Sequence, residues 1–317
     1  MKRVKNKNMD TESNSLDNLL LEVRSTGVLS AAKLAELSNL VHEELESFKR
    51  VFSSFPENTR LNIMKKMVEL AEDNVELNFN SIFKNTMNDP DPEIRCLSIE
   101  GLWENEETSL ITPYLKLLSG DSSDNVRAAA ATALGRYVML AEQGKLRVSQ
   151  LDKIKDTLLV TIKDISIAEE VRRRALEAIS PLSIPEVQAE ISAAYRSQNQ
   201  RLKVSALFAM GRNCDLSWLP ILLAELANTD PEIRFEAASA LGEIGDELAV
   251  TPLIKIGGDP DSEVRMAVIQ SLGKIGGTKA KEYLQNLISS RDTAIRDIAR
   301  QSLDELKSIE DPLSLQI

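Results

Sequence analysis

The chain is poor in aromatic residues, cysteine and histidine, and each shortage excludes a class of function. Its 317 residues include 4% aromatics, two cysteines and a single histidine. Cys96 and Cys214 are too few for a disulfide framework, and alone they cannot form a structural zinc site. With His42 as the only histidine, most metal-binding and histidine-based acid–base schemes are excluded. We therefore expect no cofactor, no bound metal and no catalytic residue.

Positive charge and long apolar runs are also scarce. Lys and Arg number 38 against 49 Asp and Glu, a net charge of −11 that argues against nucleic acid as a partner. The sequence has no run of 18 apolar residues, so we expect no membrane span. Lys2, Arg3, Lys5 and Lys7 are followed by polar residues instead of the apolar run of a secretory signal. We expect a cytoplasmic protein whose residues 1–25 form a disordered, solvated tail or a basic arm for an anionic partner.

The sequence repeats itself with a fixed period. DPEIRFEAASALGEIG (230–245) aligns with DSEVRMAVIQSLGKIG (261–276), and a basic residue recurs at the same place along the chain. Its successive spacings are 32, 45, 31, 31, 31 and 31 residues. We call these seven residues the basic column: Arg95, Arg127, Arg172, Lys203, Arg234, Arg265 and Arg296.

Other positions recur with the basic column and indicate paired helices. Six of the seven residues four positions earlier are good helix N-caps, the exception being Ala168. Positions −1, +3, +6, +7 and +10 relative to the basic residue share one helical face, and +6 is always small. Four repeats carry a glycine at +8, predicted to loosen or stop this first helix; these are Gly135, Gly211, Gly242 and Gly273.

A second amphipathic segment follows each first helix, so each repeat is predicted to be a helical hairpin. One hairpin cannot bury its apolar face alone, and stacked hairpins share a continuous core. We predict an all-α fold, a right-handed α-α superhelix, with the stacked repeats over 57–303. Residues 26–56 are predicted to be an N-terminal helical cap, and residues 304–317 a C-terminal cap or tail.

The recurring positions of the repeat resemble those of HEAT repeats, in particular the short class associated with phycobilisome lyases. The signature is carried by DPEIRFEAASALG, DSEVRMAVIQSLG and SSDNVRAAAATALG, and the resemblance covers about residues 57–303. Repeat 3 departs most, with Ala168 at the cap and Ser180 in place of the usual glycine. The resemblance implies an α-solenoid used mainly for protein–protein contact, and it implies no single activity.

The basic column has a structural interpretation and a functional one. A row of arginines could bind anions, but the turns entering three of the helices carry Asp89, Asp121 and Asp259, each six residues before a basic residue. We expect Asp–Arg pairs between neighbouring turns, which would make the column a structural ladder along the stack. Isolated, partly exposed pairs of this kind contribute roughly 0–1 kcal/mol each, and a bidentate network contributes more.

Several surfaces are candidates for binding another protein. Positions +1 and +5 of the first helix are predicted to face away from the core and to be mostly polar, but in repeats 4 to 6 four of these positions are apolar. We call this set the apolar stripe: Val204, Phe208, Phe235 and Met266. The alternative is that these side chains are covered. Trp218 on a second helix, and a long loop predicted around 141–150 from the 45-residue step, are further candidates.

We interpret the chain as a non-enzymatic scaffold, and we weighed enzymes of similar architecture. Deoxyhypusine hydroxylase resembles it and binds two irons through several His-Glu pairs, whereas this chain has only His42-Glu43. Two alternatives stay open. A bilin lyase would need a chromophore cleft, for which Trp103, Trp218, Tyr114 and Tyr137 are scattered, and a HEAT-like nucleic-acid enzyme would need a basic patch such as 172–174. Arg95 could lower the pKa of the adjacent Cys96 thiol, although both cysteines are expected to be inert.

Overall fold

The structure is a computed structural model that describes residues 30–310. The predicted tail at 1–25 and the last seven residues, 311–317, lie outside the described part of the chain. Residues 30–310 contain seventeen α-helices, three short 3-10 helices and no β-strand. The predicted all-α fold is therefore confirmed.

The helices follow one another as hairpins with short connections. Their bounds are α1 Ala31–Ala35, α2 His42–Phe52, α3 Glu57–Asp73, α4 Asn80–Thr86, α5 Pro92–Gly101, α6 Ile111–Gly120, α7 Asp124–Glu142, α8 Val148–Lys163, α9 Glu169–Ile179, α10 Pro185–Tyr195, α11 Gln200–Asn213, α12 Leu219–Glu225, α13 Pro231–Ile244, α14 Val250–Lys255, α15 Ser262–Ile275, α16 Thr278–Leu287 and α17 Thr293–Glu310. The odd-numbered helices from α5 to α17 carry the basic column and are the first helices of the repeats. Short 3-10 turns lead into α6, α12 and α14.

Each first helix begins directly after the residue predicted to cap it. The side chains of Asp91, Asn199, Asp230 and Asp261 each accept a hydrogen bond from a backbone N–H in the first turn that follows. Ala168 precedes α9 and has no side-chain acceptor, so that helix starts without such a cap. The caps fix where each repeat begins, and therefore set the register of the basic column.

The glycines at +8 have a different role from the one predicted. Gly211, Gly242 and Gly273 lie inside α11, α13 and α15, and each of these helices continues for two residues beyond its glycine. A Cβ on Gly242 would lie 2.8 Å from the Cα of Ser271, the +6 residue of the next first helix. Glycine here permits close helix–helix approach and does not stop the helix; the same +8 to +6 pairing joins Gly135 to Ala178, Gly211 to Ala240 and Gly273 to Ser302.

The described chain divides into two compact units. The first ends at Leu134 and the second begins at Gly135, so the division falls inside α7. In the second unit, successive first helices α9, α11, α13, α15 and α17 pack on one another as in an α-solenoid. The core between the helices of each unit is built mainly from Leu, Ile, Val and Ala side chains.

The prediction of a long loop around residues 141–150 is wrong. The helix α7 continues to Glu142 and α8 begins at Val148, which leaves only residues 143–147 as the connection. The extra residues of the 45-residue step lengthen these two helices, α7 to 19 residues and α8 to 16. A segment that continues a helix satisfies its backbone N–H and C=O groups internally, whereas a long loop does not.

Candidate protein-binding surface

The basic column pairs with acidic residues in the turns where an aspartate is available. Arg234 donates from Nε and Nη2 to both carboxylate oxygens of Asp259, at 2.7 and 2.8 Å, while its Nη1 bonds the carbonyls of Asn228 and Thr229 in its own turn. The guanidinium thus joins two consecutive inter-repeat turns. The Arg234 hydrogen bonds hold the pKa of Asp259 below its usual range.

One more pair in the first unit repeats this geometry, and another pair joins the equivalent positions through a single guanidinium nitrogen, Nη1. Arg95 donates from Nε and Nη2 to Asp121 at 2.9 and 2.7 Å and from Nη1 to the carbonyls of its own turn. Arg60 on α3 pairs with Asp89. In each case the acceptor is the residue six positions before the basic residue of the next repeat. The Arg95 and Asp121 side chains are only 10% and 6% exposed, which makes these pairs part of the packing.

The other members of the basic column bond differently because no aspartate stands six residues before the next basic residue along the chain. Arg265 and Arg296 donate to the carbonyls of their own turns, and Arg172 donates to the carbonyl of Ile162. Lys203 pairs with Glu225 at 2.8 Å, a carboxylate that also accepts from the Tyr195 hydroxyl at 2.6 Å. Burial and this bond to the carboxylate raise the pKa of Tyr195 to about 12. These contacts engage the column within the fold.

The apolar stripe is only partly exposed. Phe208 on α11 is 40% exposed, whereas Phe235 on α13 and Met266 on α15 are half-buried. Val204 is 5% exposed, so its predicted exposure is wrong. The reason is that position +1 faces the first helix of the next repeat, as the 2.9 Å bond from Arg173 Nε at +1 of α9 to Ser205 Oγ on α11 shows.

Trp218 is also buried, and it does not offer its ring to a partner. Its side chain is 6% exposed, and the indole Nε1 donates to Asn213 Oδ1 at 3.0 Å. The Asn213 amide nitrogen in turn donates to the carbonyls of Ser180 and Leu182 in the preceding repeat. The indole therefore belongs to a buried polar network that joins two repeats, and the prediction that Trp218 binds a partner is corrected.

Glu236, which follows Phe235 of the apolar stripe, has a carboxyl group with a raised pKa. Burial, with repulsion from Glu177 and Glu232, raises the pKa of Glu236 on α13 to about 7, and Arg173 opposes the rise. Glu177 itself accepts a 2.6 Å hydrogen bond from the Ser205 hydroxyl. The first helices α9, α11 and α13 therefore share a half-buried polar cluster whose charge changes near neutral pH.

The arginines at 172–174 and the tyrosines Tyr114 and Tyr137 do not form the anion groove or the chromophore cleft that the alternative functions would need. Arg173 pairs with Glu170, and Arg174 pairs with Glu170 and Glu177, so two of the three arginines at 172–174 form ion pairs within their own helix. The aromatic side chains Tyr114 and Tyr137 are 2% and 1% exposed. Among residues 30–310, no group of three or more His, Cys, Asp or Glu side chains has a metal-binding arrangement.

Cys96 is less acidic than its neighbour suggests. Burial raises the pKa of the Cys96 thiol by more than the adjacent Arg95 lowers it. The pKa of Cys214 at the end of α11 is also raised, by burial and by Glu243. Desolvation of the thiolate therefore outweighs the effect of Arg95, which agrees with the expectation that Cys96 is inert.

Leu216 and Leu248 are among the exposed apolar side chains of the second unit that the repeat pattern did not predict. Leu216 and Leu248 are 59% and 70% exposed and lie in the turns that follow α11 and α13. In both turns an aspartate, Asp215 or Asp246, accepts a backbone N–H two residues on, at 2.8 Å. The signal was an apolar residue shortly after an Asx turn, and such turns are solvent-facing. Within the described residues, no helix is both long and apolar enough to cross a bilayer.

Several known proteins are similar to this chain over part or most of its length. Deoxyhypusine hydroxylase of Homo sapiens is 32% identical over 107 residues, which are 33% of this chain and only 35% of the hydroxylase. A chain in the solved complex in which Kap95p binding induces the switch loops of RanGDP to adopt the GTP-bound conformation has a TM-score of 0.51 at 12% identity, covering 92% of this chain and 46% of that one. The designed armadillo repeat protein YIII(Dq)4CqI gives 0.39 at 17% identity, over 62% and 99%.

These structural likenesses concern the fold alone, since the sequence identities are low. The family comparison is more direct: residues 80–180, 187–256 and 219–304 match HEAT repeats, and together these ranges cover more than half of the chain. The matched segments contain every member of the basic column. The chain belongs to the HEAT repeat family.

Proposed function

We propose that this chain is a non-enzymatic scaffold that binds another protein through the exposed part of the apolar stripe. The observation that carries the proposal is Phe208, an aromatic side chain 40% exposed on a helix that buries Val204, Leu207 and Met210. Phe235 and Met266 are half-buried on the next two first helices. Aromatic side chains that are accessible but held by a packed helix are typical of binding hot spots.

The fold supports this proposal because it offers repeated surfaces in place of a single closed cleft. Kap95p binds RanGDP in the solved complex that contains a similar chain, and we take from it only that protein binding is compatible with this fold. The hydroxylase activity of the human relative is not carried over, since the match spans 35% of that protein and His42 is the only histidine here. Assignment to the short, phycobilisome-lyase-like class remains a prediction, as does a cytoplasmic location.

Site-specific crosslinking tests the proposal. A benzoylphenylalanine is placed at position 208, and at position 160 as a control, because Val160 is 66% exposed on a second helix. After irradiation in an extract of the source cells, crosslinked peptides are identified by mass spectrometry. The expected result is one protein crosslinked from position 208 and absent from position 160. If positions 208 and 160 crosslinked to the same proteins, the apolar stripe would not be the binding surface.

Substitution separates binding from folding. Phe208→Ser should abolish binding of the crosslinked protein and change the midpoint of thermal unfolding by only a few degrees, because the ring is partly solvated already. Val160→Ser is the matched control and should preserve binding. Loss of cooperative unfolding in Phe208→Ser would show that the ring belongs to the core, and the proposed surface would then be wrong.

A further inference from the structure

The first unit contains a groove that the repeat pattern did not predict. It lies between the end of α3, the segment that leads into α4, and the turn after α5, and its volume is about 570 Å³. The segment is shaped by two asparagines: Asn74 Oδ1 accepts the N–H of Glu76, and Asn78 Oδ1 accepts that of Asn80, both at 3.0 Å. These side-chain bonds define the backbone along one wall of the groove.

The base of the groove is aromatic and rigidly packed. Phe79 and Phe83 are 1% and 0% exposed, and their rings meet edge to face at 6.2 Å between centroids. Gly101 at the end of α5 lies against Phe83, and a Cβ at this position would overlap the ring. The base is therefore a rigid apolar layer, and position 101 beside it must be a glycine.

The rim of the groove presents large apolar groups to solvent. Trp103, in the turn after α5, is 64% exposed, and Val75 on the opposite segment is 88% exposed. Both side chains line the groove. An exposed tryptophan beside a preformed apolar base is a surface on which a second molecule gains buried area without rearranging the fold.

The charges on the rim have one sign. Glu72, Glu100 and Glu104 line the groove and are exposed, and within residues 30–310 no lysine or arginine lies among its lining residues. Nearby lysines are engaged elsewhere, Lys65 with Glu93 at 2.8 Å and Lys84 with Glu107 at 2.6 Å. An aromatic face together with carboxylates is complementary to a cationic side chain, since the face of tryptophan attracts a cation and the carboxylates raise its local concentration.

We propose that this groove, which we call the Trp103 groove, binds an extended basic segment of a partner protein and stacks a lysine or arginine side chain on Trp103. Apolar side chains of the segment would contact Val75, which is exposed on the opposite rim. The inference rests on the proposed scaffold function and adds the chemistry of a partner. It uses a surface in the first unit, whereas the apolar stripe lies in the second, so either surface can fail without the other.

The two tryptophans allow a test with an internal control. The full chain, labelled with ¹⁵N, is titrated with a short peptide of alternating lysine and leucine, and the two indole N–H resonances are followed by NMR. The expected result is a saturable shift of the Trp103 resonance with no change for buried Trp218. A peptide of alternating glutamate and leucine should leave both unchanged. Equal shifts with both peptides, or none with the lysine peptide, would overturn the proposal.

Variants separate the groove from the overall charge. Trp103→Ala should weaken binding of the lysine peptide about tenfold. The double variant Glu100→Gln/Glu104→Gln should weaken it several-fold and flatten its salt dependence. The control Glu247→Gln/Glu282→Gln changes two exposed carboxylates of the second unit, alters the net charge equally and should bind as the unmodified chain does. Equal losses in both double variants would mean nonspecific attraction and overturn the groove.

The basic residues near the chain's start are the competing occupant. A full-length variant in which Lys2, Arg3, Lys5 and Lys7 are all changed to glutamine should bind the lysine peptide with unchanged affinity. A tenfold gain in affinity would assign the groove to this segment and overturn binding of a partner there. In either case, crosslinking from position 208 reports on the proposed scaffold function independently.

Discussion

Arg234 and Asp259 form a bidentate pair across two consecutive inter-repeat turns, with the guanidinium also bound to two backbone carbonyls of its own turn. The side chains are 12% and 6% exposed. Asp259 additionally accepts the N–H of Asp261, the residue that caps α15, at 2.9 Å. One carboxylate therefore couples the cap of α15 to the preceding repeat at this position of the basic column.

Arg234→Ala should destabilise the protein by about 2–4 kcal/mol, because it leaves a nearly buried carboxylate without its cation. Arg265→Ala is the matched control, since Arg265 donates to the carbonyls of Asp259 and Pro260 and pairs with no carboxylate. Its loss should cost about 1 kcal/mol. Urea unfolding measures both values, and equal losses would show that the aspartate adds nothing to the column.

The Arg234–Asp259 pair also predicts sensitivity to acid. The folded-state pKa of Asp259 is depressed, so its contribution is present above the unfolded-state pKa of about 4 and is lost as the pH falls below it. Unfolding free energies measured between pH 6 and pH 3 should therefore fall less steeply in Asp259→Asn than in the unmodified chain. Parallel pH profiles would contradict the assigned role.

Glu236 predicts the opposite dependence. Its folded-state pKa of about 7 lies above that of the unfolded chain, so the folded state binds the proton more tightly and stability falls as the pH rises from about 4.5 through 7. Glu236→Gln should remove this slope and stabilise the protein at pH 8 by up to about 2–3 kcal/mol. The same substitution at exposed Glu282 is the control, and a stability gain at Glu282 of similar size would refute the assignment.

The period of the basic column was sufficient to predict the helical hairpins, the caps and the turn residues that pair with arginine. It was not sufficient to predict that Val204 is buried, because exposure at +1 depends on how closely the next helix approaches, which the Gly211–Ala240 contact allows. Trp218 was misjudged because its partner Asn213, the last residue of α11, carries no repeat signal. The Trp103 groove depends on the irregular segment before α4, where no column applies.

The close approach itself can be tested at Gly242. Gly242→Ala adds a Cβ 2.7 Å from the Cβ of Ser271, so the intrinsic helix preference of alanine should be outweighed, with a net loss of about 2 kcal/mol. Gly120→Ala, at the end of α6 with no atom within 4 Å of the added Cβ, should be neutral or gain about 0.5 kcal/mol. Calorimetry on both variants gives the comparison, and a stabilised Gly242→Ala would show that the helices can separate at no cost.

The pairing rule also predicts a gain of stability. Ser290 lies six residues before Arg296, at the place where Asp259 stands before Arg265, and its Oγ already accepts the N–H of Asp292 as Asp259 accepts that of Asp261. Ser290→Asp should keep this bond, give Arg265 a carboxylate partner and stabilise the protein by about 1 kcal/mol. Ser289→Asp adds the same charge one residue away and should give no gain. Combining Ser290→Asp with Arg265→Ala should abolish the gain, and a gain that persists in the double variant would show that the new carboxylate acts only on the helix start of α17.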